Sequence, residues 1–340
     1  MGPHPHAPAR SARRRPRADG KTPLSFPVSG PRPIRVCAIV VTFNRQVLLK
    51  DCLRALLGQG RPLDTILVVD NASTDGTGAM LQEEFPAATF PTIEVLSLPK
   101  NSGGAGGFHA GMKHAYEGGF DWLWLMDDDG TPAPDCLQLL LDQAPDASGK
   151  NARVMVPMQQ DRAGRKYGVG LWDKFYSDVS GEVSEKGEIV QGDYLFAFVG
   201  PLIAREVVNR IGLPRRNFFI WFDDYEYGLR LHRSSSNAVT VVPGAVFHHD
   251  IGGQTREVRL LGRRALRNDS PAWKTYYGTR NHLFTVLRTR RNLRETGWFL
   301  VREGWLIIGD LLFEADRWKR VGLRLRGLND GLFGFMGKRV

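Results

Sequence analysis

Four short apolar runs, each breaking off into polar residues and each followed by a helix-like segment, leave this chain few folds to choose from. "IRVCAIVVTFN", "DTILVVDNASTDGT", "TIEVLSLPKNSGGAGGF" and "FDWLWLMDDDG" are rich in β-branched and large apolar residues. Continuous runs of that length suit strands buried on both faces of a parallel sheet. After the first of them, "RQVLLKDCLRALLGQG" places Val47, Leu48, Cys52, Leu53, Leu56 and Leu57 at helical intervals and closes on Gly58 and Gly60. "GAMLQEEF" and "GFHAGMKHAYEGG" follow the second and third runs in the same way. Alternation of this kind predicts an α/β domain, in which ligands bind beyond the carboxyl ends of the strands. Four polar edges should therefore meet in one crevice: Thr42 to Arg45, Asp70 to Asp75, Lys100 to Gly107, and Asp127 to Asp129.

The triple aspartate Asp127, Asp128 and Asp129 is the sharpest chemical signal. A carboxylate at the edge of a core loses hydration, and three side by side repel one another unless a cation, donors or water compensate them. A second apolar stretch breaks into acid in "FFIWFDDYEYGLRL", at Asp223, Asp224 and Glu226. Carboxylates so close raise the proton affinity of at least one member of the set. Blander readings stand beside these. Asp70 in "VDNASTDG" suits a turn in any protein, acids at 223–226 suit a helix start, and Trp221 suits ordinary core packing. "NSGGAGGF" is neither a Walker loop, lacking Gly-Lys-Ser/Thr, nor a dinucleotide fingerprint, lacking its glycine spacing.

Six motifs occur in order between Ile34 and Gly253: "VVTFNR", "VVDNASTDGT", "NSGGAGGF", "LMDDDG", "FFIWFDDYEYGLRL" and "GAVFHHDIGG". Together they resemble the nucleotide-sugar domain of family 2 glycosyltransferases, which have the Rossmann-like GT-A fold. The resemblance implies an inverting transferase in which Asp224 matches the base that deprotonates the acceptor hydroxyl. Asp223 would bind acceptor hydroxyls or share that role, and Glu226 would support them. It implies Mn²⁺ or Mg²⁺ at Asp127 and Asp129, with an imidazole favouring Mn²⁺. Strand neighbours face opposite ways, so one of the two adjacent histidines should reach the metal, and His248 is preferred to His249. For the donor, Asp70 would receive the base ring, Thr42, Asn44 and Arg45 would line the nucleotide's other side, and Asp127 would share the site. Asn101, Gly103 and Gly104 would approach the sugar nucleotide, and Trp221 would stack on a sugar face.

Within that family, "NSGGAGGFHAGM", "YYGTRN" and "RGLNDGLFGFMGK" resemble bacterial galactofuranosyltransferases that build cell-wall galactan. This implies UDP-galactofuranose as donor and a rhamnosyl-N-acetylglucosaminyl diphospho-polyprenol as acceptor, with Arg280 a contact for the acceptor diphosphate or the membrane. A dTDP-rhamnose-dependent rhamnosyltransferase of polysaccharide synthesis is the nearest alternative. No "QxxRW" motif occurs, which argues against a processive synthase. From another class, a basic nucleic-acid-binding protein could use the aspartates for metal-dependent phosphodiester cleavage. No recognisable RNA-binding motif accompanies the basic segments, so no nucleic-acid partner is expected.

Charge and organisation fit a membrane-surface enzyme. The 340 residues carry a formal charge of +10, which favours polyanionic partners or surroundings. Residues 1–33 read as a disordered, basic Pro/Arg-rich tail, 34–253 as the catalytic domain, and 254–340 as a mostly helical, basic and aromatic region near an anionic membrane surface. "GWFLVREGWLIIGDLLF", Gly297 to Phe313, is interrupted by Arg302, Glu303 and Asp310 and reads as an interfacial amphipathic segment or a packed helix, not a membrane span. Cys37, Cys52 and Cys136 have neither disulfide nor zinc spacing, which fits a reducing cytoplasm, with the enzyme peripheral on the inner face of the cell membrane.

Overall fold

The apolar runs form strands β1 (Val36–Thr42), β2 (Thr65–Asp70), β3 (Ile93–Ser97) and β4 (Trp122–Asp127), which lie in the order β3-β2-β1-β4 and pair in parallel. Every residue of β1 and β2 is buried, as unbroken apolar runs demand, whereas edge strand β3 is mostly exposed, with Ile93 buried. The computed structural model describes residues 33–144, 153–161, 163–167, 169–171, 187–192, 194–250, 255–260 and 263–340, with Gly2 and Val183. The expected tail lies outside the described residues apart from Gly2 and Pro33, as does the boundary drawn at Gly253.

Helices α1 (Gln46–Leu57), α2 (Thr77–Glu84) and α3 (Gly103–Glu117) link the first four strands. The buried face of α1 is Leu49, Cys52, Leu53 and Leu56, while Val47 stands exposed. "GGAGGF" is not a loop: it is the opening of α3. Two glycines of the helix let it down on the sheet: a Cβ on Gly107 would lie 2.4 Å from Val41 Cγ1 and one on Gly111 2.4 Å from Ile39 Cγ2.

Beyond β4 the sheet changes direction. After β5 (Thr131–Pro132) and α4 (Cys136–Asp142) come β6 (Val154–Gln160), β7 (Lys166–Tyr167), β8 (Gly170–Leu171), β9 (Val190–Gly192), β10 (Tyr194–Leu195), β11 (Leu202–Ala204) and β12 (Val239–His248). β11 runs antiparallel between β4 and β6, then β12 pairs in parallel with β6, giving the order β3-β2-β1-β4-β11-β6-β12-β5. Of the segment from Asp173 to Gly192, only Val183 and 187–192 are described, and Val190–Gly192 pairs with β12.

The helix Asp223–Ser234 precedes β12, and a hairpin of β13 (Thr255–Leu260) and β14 (Arg263–Asn268) follows it. Three helices end the chain: Ala272–Thr285, extended by a π-turn over Val286–Arg290, then Leu293–Phe313 and Arg317–Phe333. Several of their charges are internal. Arg324 donates to Asp310 at 2.6 Å and Glu303 at 2.9 Å, so the residues that break the Gly297–Phe313 run serve a buried ion network. Among the described residues no helix is long and apolar enough to cross a membrane. Residues from Ile34 onward gather into one compact unit.

Candidate active site

The carboxyl ends of β1 and β4, the start of α3 and the segment leading into helix Asp223–Ser234 enclose a cavity of about 1280 Å³. Asp127, Asp128, Asp129 and His249 line one part; Trp221, Phe222, Asp223 and Asp224 line another. Trp273, Lys274 and Lys338 come from beyond residue 253, so the C-terminal region completes the wall.

The triple aspartate divides into distinct environments. Asp128 is buried, accepts the Thr42 hydroxyl at 2.7 Å and faces Arg45 Nη1 at 3.2 Å. Burial raises its pKa, with Thr42 and Arg45 opposing. Asp129 is paired with Arg45 at 2.8 Å and with His249 Nε2 at 3.2 Å. Burial works against its charge, but His249 and Arg45 prevail and hold its pKa below the usual carboxylate range. His249 shows the converse: desolvation lowers its pKa, Asp129 and Asp127 raise it, and the net direction is up. Asp127 is pushed well up by burial, then by repulsion from Asp129 and Asp128. Asp223 also contributes to that repulsion, which couples the two acidic groups electrostatically.

Both carboxyls at the second group are raised, Asp223 by burial and by Asp224, and Asp224 by burial against backbone donors. They open a helix, so the helix-start reading and the functional one describe the same residues. Glu226 is fully buried and anchors the segment through Arg215 at 2.8 Å and Arg230 at 2.9 Å.

The fold and this pair of acidic groups on one cavity invite comparison with known proteins. A model for Glycosyl transferase family 2 matches residues 37–167. Galactofuranosyltransferase GlfT1 of Mycolicibacterium smegmatis is 32% identical over 302 residues, covering 86% of this chain and 97% of the relative. This chain belongs to glycosyltransferase family 2. A second GlfT1, from Mycobacterium tuberculosis, is 31% identical over 298 residues, 86% of this chain and 95% of the relative. A solved structure titled GalNAc-T7 with UDP, GalNAc and Mn²⁺ aligns with TM-score 0.55 at 15% identity, over 74% of this chain and 47% of that one. The protein is thus a glycosyltransferase with a GT-A-like fold and a mostly helical C-terminal region.

Most site residues expected in this glycosyltransferase meet at the cavity: Thr42, Arg45, Asn101, Gly103, Gly104, Asp127, Asp129, Trp221, Asp223 and Asp224 all line it. Of the two adjacent histidines, it is His249 and not the expected His248 that reaches the aspartates. His248 ends β12 with its side chain toward solvent, and the opposite orientation of the next residue turns His249 onto Asp129. Asn44 and Asp70 are outside the cavity wall; Asn44 Oδ1 accepts the Thr74 amide at 2.7 Å and Asp70 Oδ1 the Ser73 amide at 2.9 Å, so both tie turns. Arg280, expected to meet acceptor diphosphate or membrane, is fully buried. Asn101 reaches the wall while its Oδ1 accepts the Gly103 amide at 2.8 Å.

Lys274 and Lys338 were not anticipated; Asn71, within the expected Asp70–Asp75 edge, accepts from Ser102 N at 2.9 Å and donates to Gly103 O at 2.8 Å. Lys274 Nζ lies 5.6 Å from the ring centre of Trp221 and 5.8 Å from that of Trp273. Nothing in "AWKTYYGTRN" marks that lysine, because its place depends on the helix folding back over the cavity.

Proposed function

We propose that this glycosyltransferase moves galactofuranose from UDP-galactofuranose, with inversion, to a rhamnosyl-N-acetylglucosaminyl diphospho-polyprenol during cell-wall galactan assembly. The observation carrying this reading is the presence of two acidic groups on one cavity: Asp127, Asp129 and His249 at the donor side, and Asp223 and Asp224 at the acceptor side. The GlfT1 relatives, similar across nearly their whole length, support the sugar.

Asp224 takes the acceptor proton as the hydroxyl oxygen attacks the anomeric carbon, and Asp223 orients acceptor hydroxyls. Trp221 offers a flat apolar face to a sugar ring. Thr42, Arg45, Asn101, Gly103 and Gly104 border the UDP-sugar, and Arg45 and Lys274 face the diphosphate as its charge grows.

The acidic donor side fits Mn²⁺ or Mg²⁺. Carboxylates of Asp127 and Asp129 with the His249 imidazole are a suitable set of oxygen and nitrogen donors, and Asp129 Oδ1 already stands 3.2 Å from His249 Nε2. As these side chains stand, no group of three or more His, Cys, Asp or Glu among the described residues is assembled to hold an ion; Arg45 instead spans Asp128 and Asp129. When bound, the cation would neutralise charge developing on the UDP leaving group.

We assign the lipid contact to helix Leu293–Phe313. Trp298, Val301, Trp305, Ile308 and Leu312 repeat at intervals of three and four and are all exposed, with exposed Arg294 and Arg317 beyond either end. That stripe would rest on the anionic inner face of the cell membrane, where a polyprenyl acceptor is anchored. Vesicles containing anionic lipid should sediment the enzyme, and Trp305→Glu combined with Ile308→Glu should reduce the bound fraction at least about tenfold, as each buried large apolar side chain is worth about 1.5–3 kcal/mol. Equal sedimentation of both proteins would refute this assignment.

The overall reading is tested by UDP release with Mn²⁺ or Mg²⁺ and a synthetic rhamnosyl-N-acetylglucosaminyl lipid. Release from UDP-galactofuranose that requires the acceptor is the expected result. Release from dTDP-rhamnose alone would replace the donor assignment.

A further inference from the structure

Phe218 to Phe222, which delivers Trp221 and the two aspartates to the cavity, has a backbone that cannot hold itself. Ile220 N donates to Phe218 O at 2.9 Å around Phe219, whose φ of 69° and ψ of −66° define a γ-turn of the rare, strained hand. Trp221 and Phe222 follow with φ of 64° and 68°. Left-handed geometry is unfavourable for bulky L-residues, and it persists only where surrounding structure imposes it.

The constraint comes from the helix Ala272–Thr285. Asn281 Nδ2 lies 3.0 Å from Phe218 O, 2.8 Å from Ile220 O and 2.9 Å from Trp221 O. Arg280 Nη2 donates to Phe218 O at 2.8 Å, and its Nε donates to Asn281 Oδ1 at 2.8 Å, which fixes the amide's orientation. Both side chains are fully buried. His282 stacks on Phe222 with ring centres 4.8 Å apart and planes 12° from parallel. From the other side, Ala105 N donates to Phe219 O at 3.2 Å, and a Cβ on Gly103 would lie 1.9 Å from that oxygen. Gly103, itself at φ 74°, thus leaves room for the turn.

We infer that Asn281, oriented by Arg280, is a positioning residue that sets the strained Phe218–Phe222 backbone and so the placement of Trp221, Asp223 and Asp224 for transfer. The amide is suited to this task because it donates to several carbonyls while its oxygen accepts the guanidinium. The inference rests on the proposed roles of the aspartates, whereas the clasp itself does not.

The test compares the full-length enzyme with Asn281→Asp, nearly isosteric but with no amide hydrogens, and with Asp224→Asn. For Asn281→Asp, kcat should fall at least about 100-fold, consistent with the cost of misplacing reacting groups. Its Kd for UDP with Mn²⁺ should stay within threefold, and amides 219–222 should exchange hydrogen faster. If Asn281→Asp does not fold, Asn281→Ser, which retains one hydroxyl donor, is judged by the same three readouts. Near-normal kcat, or unchanged exchange at 219–222, in whichever variant folds would overturn the clasp. Failure of both variants to fold would also overturn it, by making the pair a requirement of folding. An active Asp224→Asn enzyme would instead sink the base assignment while leaving the exchange result to judge the clasp.

Discussion

Replacing Asp224 with Asn is expected to lower kcat by about 10²- to 10⁴-fold, the usual contribution of a general base, while UDP binding is retained. Asparagine keeps the size and the hydrogen-bonding plane of the side chain but cannot accept the acceptor's proton. The Tyr225 amide, 2.6 Å from Asp224 Oδ1, can still donate to the amide oxygen, so the helix start should persist. Circular dichroism and a UDP titration would verify that the variant is folded and loaded. Turnover within tenfold of the parent would remove Asp224 as base. The pH profile adds a second reading. Burial raises both Asp223 and Asp224 above the usual carboxylate range, and the base works only when ionised. In the parent, kcat/KM should therefore drop as pH falls through a pKa displaced upward toward neutrality, instead of near the value of about 3.9 of a free aspartate.

Asp129→Ala should weaken UDP binding in the presence of Mn²⁺ by at least about 10- to 100-fold, since even partners outside a metal's immediate ligands commonly cost that much. In the absence of the cation the parent and variant should bind UDP alike, which separates lost metal from a damaged pocket. A thermal readout is available without substrate. The raised pKa of Asp127 reflects burial and repulsion among neighbouring carboxylates, so a divalent ion should stabilise the parent, and this gain should disappear in the variant. The gain follows RT ln(1 + [L]/Kd), about 2.7 kcal/mol at a hundredfold excess over Kd. Unchanged Mn²⁺-dependent UDP affinity in Asp129→Ala would displace this residue from the donor site.

The sequence by itself determined the first four strands and which polar residues each one delivers to the sheet's edge. That information is local: short, β-branched apolar runs such as Val36 to Val41, each followed by a helical segment, suit strands covered on both faces, and the first polar residue marks where burial ends. The same logic located both acidic groups, because an apolar stretch that ends in clustered carboxylates is costly unless it has a task. Ordered motifs then carried the family, which no single motif could have done.

The tertiary structure decided questions of partnership. The choice between His248 and His249 depends on which face of the end of β12 turns toward Asp129, and two adjacent histidines look alike in one dimension. Gly103 was legible as a place of close approach, but to a sugar nucleotide; the groups that Gly103, Gly107 and Gly111 admit, Phe219, Val41 and Ile39, come from other elements. Arg280 sits in a segment dense with arginine and reads as a surface cation. In the fold it is enclosed by Tyr276 and Tyr277 and hydrogen-bonded to the Phe218 carbonyl. Charge can be counted along a chain, but the energy of a charge depends on burial and on the groups across from it, and packing between distant segments sets both.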